Sequence, residues 1–170
     1  MKKLSVIVPV YCNAESLIAH FDRVKAQKVL LSDKLGMGLE VIYVNDGSKD
    51  HSLKVLKSIK KAHPDWVTIV SFTRNFGSLH AVKAGFSHAS GDCVTLISAD
   101  LQDPPELLFD MARSWKEGAQ YVLCERQSRT DPITSKFFSK IFYLCARLLI
   151  IPTYPKGGFD LFLLDKRYIK

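Results

Sequence analysis

Five short runs of apolar, largely β-branched residues recur along the chain: LSVIVPV (4–10), EVIYVND (40–46), VTIVSF (67–72), CVTLIS (93–98) and YVLC (121–124). Nearly every position within them is apolar. A strand covered on one face alternates apolar with polar side chains, whereas a strand buried on both faces does not. Helical patterns separate the runs. Residues 14–30 carry Leu17, Ile18, Phe21, Val24 and Val29; 52–62 carry Leu53, Leu56 and Ile59; 78–89 carry Leu79, Val82 and Phe86; 105–117 carry Leu107, Leu108, Met111 and Trp115. Strand and helix alternate four times, which predicts an α/β, Rossmann-like three-layer domain with a mostly parallel central sheet. The 170 residues, 47% hydrophobic, suffice for one such core.

Several classes fall away. No stretch reaches the roughly 18 consecutive apolar residues of a membrane span. MKKLSVIVPVY has the lysines of a signal peptide but too short an apolar run and no small-residue cleavage site, so it reads as a first strand. Cys12, Cys93, Cys124 and Cys145 form no CxxC pair, which argues against a zinc or redox motif. Their spread fits a reducing, cytoplasmic setting, with most of them acting as small buried hydrophobes.

The net charge of +7 is uneven. Residues 1–112 hold 13 Lys and Arg against 12 Asp and Glu; residues 113–170 hold 11 against 5. The basic final third suits an anionic partner, whether phosphate, lipid surface or nucleic acid, or simply a solvated basic face. No nucleic-acid motif and no sheet interleaving aromatic and basic residues supports the last partner, and no nucleic acid is expected. Within this third, SKFFSKIFYLCARLLIIP reads as an amphipathic helix; over 137–151 it suits either an interfacial helix or a core helix. GGFDLFLLDKRYIK reads as a tight turn, a short strand and the start of another helix, so the single domain (1–170) is expected to be cut short at its C-terminus, without membrane-anchoring helices.

In an open parallel sheet, ligands bind beyond the carboxyl ends of the strands. Four strand ends carry polar side chains: Pro9-Val10-Tyr11-Cys12-Asn13; Asn45-Asp46-Gly47-Ser48; Thr73-Arg74-Asn75-Phe76-Gly77; and Ser98-Ala99-Asp100-Leu101-Gln102-Asp103. Any one reads equally well as a turn or helix cap, as Asp46-Gly47-Ser48 does. Four together favour a site. It lacks GxGxxG, GxxxxGK[ST] and GxSxG, so phosphates there need a metal or arginines rather than a glycine-rich cradle. Asp100, with Gln102 nearby, offers the hard oxygen ligands Mg²⁺ or Mn²⁺ prefers. Arg126 and Arg129 offer bidentate phosphate contacts. Asp103 is expected to cap the helix that Pro104 and Pro105 begin.

VIVPVYCNAESL, VIYVNDGSKDHS, TRNFGSLHAVKAGFSHASGD and ADLQDPPEL, in this order and spacing, resemble the family 2 glycosyltransferases, more narrowly the bacterial polyprenyl-phosphate glycosyltransferases related to dolichol-phosphate mannose synthase. GGFDLFLLDKR resembles their later segment. The resemblance implies a GT-A fold, a nucleotide-sugar donor, a divalent metal (Mg²⁺ or Mn²⁺), and a lipid-phosphate or glycan acceptor at the inner face of the cytoplasmic membrane. It places Pro9, Tyr11 and Asp46 against base and ribose, with Asn13, Asn75, Gly77 and Ala99 in the same donor site. It puts the metal and diphosphate on Asp100 and Gln102, phosphate handling on Arg126 and Arg129, and a catalytic acid on the acceptor side at Asp160, a candidate base. Inversion at the anomeric carbon follows from the same resemblance.

Two departures stand out. Many relatives read Asp-Ala-Asp-Leu-Gln where this chain has Ser98, a weaker metal ligand than a carboxylate. Many read Pro-Val-Tyr-Asn-Glu where it has Pro-Val-Tyr-Cys-Asn. The alternatives are a homologue that binds nucleotide-sugar but is catalytically impaired, and a nucleotidyltransferase, which would carry a glycine-rich basic stretch after its first strand. This chain has none.

Overall fold

A computed structural model describes residues 1–125 and 159–168. The element order is β1 (Lys3–Val10), α1 (Leu17–Leu35), β2 (Gly38–Asn45), α2 (Ser52–Ala62), β3 (Val67–Ser71), α3 (Ser78–His88), β4 (Cys93–Leu96), α4 (Leu107–Lys116), β5 (Tyr121–Glu125), β6 (Phe159–Asp165) and a 3₁₀ turn, Lys166–Tyr168. The six strands form one sheet in the order β3-β2-β1-β4-β6-β5. β1 pairs in parallel with β2 from Lys3↔Gly38 to Val10↔Asn45 and with β4 from Leu4↔Cys93 to Ile7↔Leu96, and β2 pairs in parallel with β3. β6 runs antiparallel to β4. The chain divides into two compact units, Met1–Val122 with Leu163–Lys170, and Leu123–Phe162. The cavity described below is lined by residues of the first unit alone. The 137–151 segment lies outside the described residues, and no helix among the described residues is long and apolar enough to cross a membrane.

The runs of β1, β2 and β4 are largely buried on both faces, as in β1, where Leu4 to Val8 are all inaccessible; β3 and β5, at the two edges of the sheet, are covered less completely than their apolar runs predict, β3 burying only Val67 and β5 leaving Tyr121 half-exposed. α3 packs on β1 and β2, where Ala81 joins Ile7, Ile42, Val44 and Val94 in one apolar cluster. α1 contacts both α2 and α4, the layout of the opposite face. α3 approaches β1 closely because it carries Gly85: a Cβ there would stand 2.3 Å from Ile7 Cγ2. Gly85→Ala would therefore gain helix propensity yet lower stability by about 1–3 kcal/mol, the usual cost of overpacking, read as a lower denaturant midpoint.

α1 runs five residues beyond the 14–30 expectation. Leu31 is buried, and the stop is Gly36 in the left-handed region (φ 59°), whose N–H bonds Ser32 O while Met37 N–H bonds Leu31 O. α4 begins at Leu107, and Asp103 does not cap it: its Oδ2 accepts the Ser98 N–H at 2.9 Å. The helix starts at Leu107 with Glu106 in the capping position, so Asp103 lies too far upstream to cap it and its carboxylate turns back across its own loop. Cys93 is buried, its thiol pushed up to about 12 by desolvation; Cys12 is exposed.

Asp165, at the end of β6, accepts from Arg167 Nε (2.9 Å), the Arg167 N–H and Trp115 Nε1 (3.0 Å) of α4. Arg167 chiefly, with Trp115, holds its carboxyl well below the usual range. A depressed folded-state pKa contributes stability present above the unfolded value and lost as pH falls through the folded one. Asp165→Asn is thus expected to be less stable than the parent at pH 7, with the gap closing below about pH 4; urea titrations at pH 7 and pH 3 measure it.

Candidate functional site

Strand order reverses between β1 and β4, since β1 leads on to β2 and β3 in one direction while β4 lies on its other side. At such a switch point the loops leaving the two strands part and leave a crevice. Here it is a cavity of about 290 Å³. Pro9, Tyr11, Asn13, Asp46, Asn75, Gly77, Ala99 and Asp100 line it, together with Val10, Ser78, Ala81 and Ser98. All four strand-end motifs thus meet at one edge.

The wall after β1 is held by the loop after β2 and the first residue of α2. Cys12 N–H donates to Ser48 Oγ (3.0 Å), Asn13 N–H to Ser52 Oγ (2.9 Å) and Ala14 N–H to Asp50 Oδ2 (3.1 Å). Asn13 Oδ1 accepts the Tyr11 N–H (2.9 Å), which leaves its amide NH₂ for a ligand. Tyr11 is half-exposed at the rim, its ring free to cover a planar group.

Asp46 reaches the other way. It is buried, and its two oxygens accept the Phe76 N–H (2.7 Å) and the Gly77 N–H (2.9 Å), the latter at the start of α3. Gly47 lets these loops touch: at φ 63°, a Cβ there would lie 2.3 Å from the Arg74 carbonyl carbon. Beyond that contact the Arg74 guanidinium stacks on Phe76, 4.6 Å from the ring centroid.

The third wall is the turn after β4. Ile97 N–H still bonds Ile7 O, continuing the ladder by one residue, and the chain then folds back through the Ser98 N–H to Asp103 bond. Asp100 is exposed; its Oδ1 accepts the Gln102 N–H (3.0 Å), and its second oxygen is unengaged. Leu101 sits at φ 66°, and Cys12, across the cavity, at φ 56°. They are the two non-glycine residues with positive φ among the described residues, and strain of this kind gathers at ligand sites. Gln102 lies on the same turn but does not line the cavity. Arg126 and Arg129 fall outside the described residues. Asp160 lies in β6, and its side chain is likewise outside the description.

The donor set can be tested against a divalent metal. Among the described residues no three His, Cys, Asp or Glu side chains converge as a ready cage. Two carboxylates line the cavity: Asp46, whose oxygens both accept backbone N–H groups, and Asp100, which keeps one oxygen unengaged and stands beside Ser98, whose buried Oγ has no hydrogen-bond partner. Mg²⁺ and Mn²⁺ bound with phosphates commonly take only one or two carboxylates and complete their shell with phosphate oxygens and water. The residues fit that arrangement, with Asp100 as the charged ligand and Ser98 as a neutral one. They do not fit a structural metal site.

Sequence reading named the cavity lining but missed what holds it: Ser48, Asp50 and Ser52 under the first loop, and Ser16, whose hydroxyl donates to Ala99 O at 2.7 Å. The only sequence signal was the density of Ser and Asp after β2, which fits an ordinary turn equally well.

Residues 5–164 match the model of the family described as Glycosyl transferase family 2. An uncharacterized glycosyltransferase, YkcC of Bacillus subtilis, is 40% identical over 80% of this chain and 40% of its own length. The bactoprenol glucosyl transferase of Shigella phage SfV is 32% identical over 99% of this chain and 53% of its own. The chain thus spans about half the length of the curated relatives it matches. Among solved structures, the mannosyltransferase PcManGT of Pyrobaculum calidifontis, in complex with GDP-Man and Mn²⁺, superposes with a TM-score of 0.64 at 23% identity, covering 98% of this chain and 45% of its own. That likeness establishes the GT-A fold.

Proposed function

Given that the chain belongs to glycosyl transferase family 2, we propose that it carries the donor half of an enzyme moving a sugar from a nucleotide-sugar, a UDP-sugar, to a polyprenyl phosphate. The observation that carries this reading is the cavity of about 290 Å³ at the β1/β4 switch, walled by all four motifs, with the Asp100 carboxylate on one side. Its size suits a nucleoside with its diphosphate reaching Asp100. Tyr11 would cover the base, the Asn13 amide would donate to base or ribose, and the Asp46 wall would bound the pocket. The 32% identity to a bactoprenol glucosyl transferase supports the lipid acceptor, and with it a place at the inner membrane face.

A divalent metal, when bound, supplies charge against the leaving diphosphate. Asp100 would hold it, with Ser98 beside it, and Arg126 and Arg129 would add guanidinium contacts to the phosphates. An acceptor phosphate oxygen then forms a bond to the anomeric carbon as the bond to the nucleoside diphosphate breaks, with inversion. A lipid phosphate is already anionic near neutral pH and needs placement more than deprotonation. With a glycan hydroxyl instead, Asp160 would take the proton. A second reading, donor binding without transfer, rests on Ser98 standing where relatives carry an acid.

Calorimetric titration with UDP and with GDP, each with and without Mn²⁺, tests the donor site, and transfer from a UDP-sugar to undecaprenyl phosphate tests the rest. Metal-strengthened binding of UDP with transfer is the expected outcome. Metal-strengthened GDP binding would change the donor class, binding without transfer would favour the second reading, and binding of neither nucleotide would overturn both.

A further inference from the structure

Three buried side-chain polar atoms among the described residues lack a hydrogen-bond partner: His20 Nε2, Gln27 Oε1 and Ser98 Oγ. All three belong to α1 or to the turn that α1 supports. Ser16, His20, Arg23 and Gln27 fall at i, i+4, i+7 and i+11, one stripe of the helix. The stripe is anchored on both sides of His20. The Ser16 hydroxyl bonds Ala99 O, and Arg23 grips the Glu106 carboxylate with Nε (2.9 Å) and Nη2. His20 therefore lies along the segment that carries Asp100, between the two points where α1 holds it.

His20 is wholly inaccessible, and its Nδ1 meets the Tyr43 hydroxyl at 3.2 Å. Tyr43 is also inaccessible, on β2. If the imidazole Nδ1–H donated to the tyrosine oxygen, the tyrosine proton and the Nε2 lone pair would both be stranded. If the hydroxyl donates to Nδ1, only an Nε2–H remains unpaired, so this second arrangement leaves less unsatisfied. Burial, reinforced by Arg23, lowers the imidazole pKa to about 4, so the ring is neutral; the opposing charge that reaches it is Asp100. Behind the turn that bears Asp100, α1 thus carries a buried neutral N–H without an acceptor, and the Asp100 carboxylate has one unengaged oxygen.

We propose that His20, fixed by Tyr43, is a positioning residue for the donor site: its Nε2–H supports the Asp100 carboxylate when a nucleoside diphosphate and metal occupy the cavity. Donors behind a metal-binding carboxylate set its orientation, and losing one commonly costs 10- to 100-fold in metal affinity. A buried N–H with no acceptor costs stability, and a carboxylate brought to it on binding recovers that cost.

This rests on the nucleotide-sugar reading of the cavity. The test compares parent, His20→Leu, His20→Gln and Tyr43→Phe chains by calorimetric titration with UDP, with and without Mn²⁺, alongside thermal melts. His20→Leu fills the space and removes the stranded N–H, so its melting temperature is expected to equal or exceed the parent's while Mn²⁺-dependent UDP affinity falls about 10-fold or more; metal-free affinity stays unchanged. His20→Gln, which restores an N–H, keeps most of the metal-dependent affinity. Tyr43→Phe loses part of it and carries the test should His20→Leu fail to fold. Equal affinities in parent, His20→Leu and Tyr43→Phe, or equal losses with and without metal, overturn the proposal while leaving the donor reading intact. A parent chain that binds neither UDP nor GDP overturns both.

Discussion

Asp100→Ala is expected to erase the Mn²⁺-dependent part of nucleotide binding and to lower sugar transfer by about 10²- to 10³-fold, the range for removing one group that stabilises developing charge. The fold should survive. Asp100 is exposed, and its hydrogen bond is a local one to the Gln102 N–H. The turn is held independently by the Ser98–Asp103 and Ser16–Ala99 bonds. Melting temperatures within about 2 °C of the parent, with a metal effect on UDP affinity reduced to none, would be the signature. The other carboxylate at the cavity, Asp46, already has both oxygens taken by the Phe76 and Gly77 N–H groups, so the loss should be nearly complete rather than partial. Full transfer by Asp100→Ala would remove Asp100 from the mechanism. Ser98→Asp is the complementary change: a second carboxylate beside the first should strengthen Mn²⁺-dependent binding.

The architecture was legible because its signals are local and repeated. A run such as LSVIVPV can be read as a doubly covered strand without knowing its neighbours, and Leu4 to Val8 are indeed all buried. Strand ends follow from strands, and the rule that ligands gather beyond carboxyl ends converts them into a site. What stayed illegible depends on closure of the chain over long separations. Asp103 reads as a helix cap because capping is a local rule; α4 in fact begins at Leu107, four residues on, and Asp103 accepts the Ser98 N–H instead. The bonds of Ser48 and Ser52 to the Cys12 and Asn13 N–H groups join residues 36 and 39 positions apart, and no periodicity announces them. His20 is the hardest case. A histidine on an amphipathic helix reads as ordinary, and only the packed structure reveals that one of its nitrogens has no partner.

Asp46→Ala should fail in a different way from Asp100→Ala. The side chain lines the cavity, but its two oxygens join the loop after β2 to the backbone of residues 76 and 77. Alanine leaves two partly buried N–H groups without acceptors at the start of α3. Hydrogen bonds to a charged group contribute about 1.5–3 kcal/mol each, and water reaches part of this site, so a loss of about 2–4 kcal/mol is expected. That is a large share of the stability of a domain this size. With the tie cut, Asn75 and Gly77 are no longer held at the cavity, so nucleotide affinity should fall at least 10-fold with metal and without it. Asp46→Asn separates the two roles, since its single oxygen can keep one of the two bonds: roughly half the stability loss is expected. Gly47→Ala should mimic Asp46→Ala, because its Cβ would push against the Arg74 backbone and part the same two loops. Urea titration and UDP calorimetry on the three variants would measure this. If Asp46→Ala lost binding only in the presence of Mn²⁺ and kept its stability, Asp46 would belong with Asp100 at the diphosphate rather than in the wall.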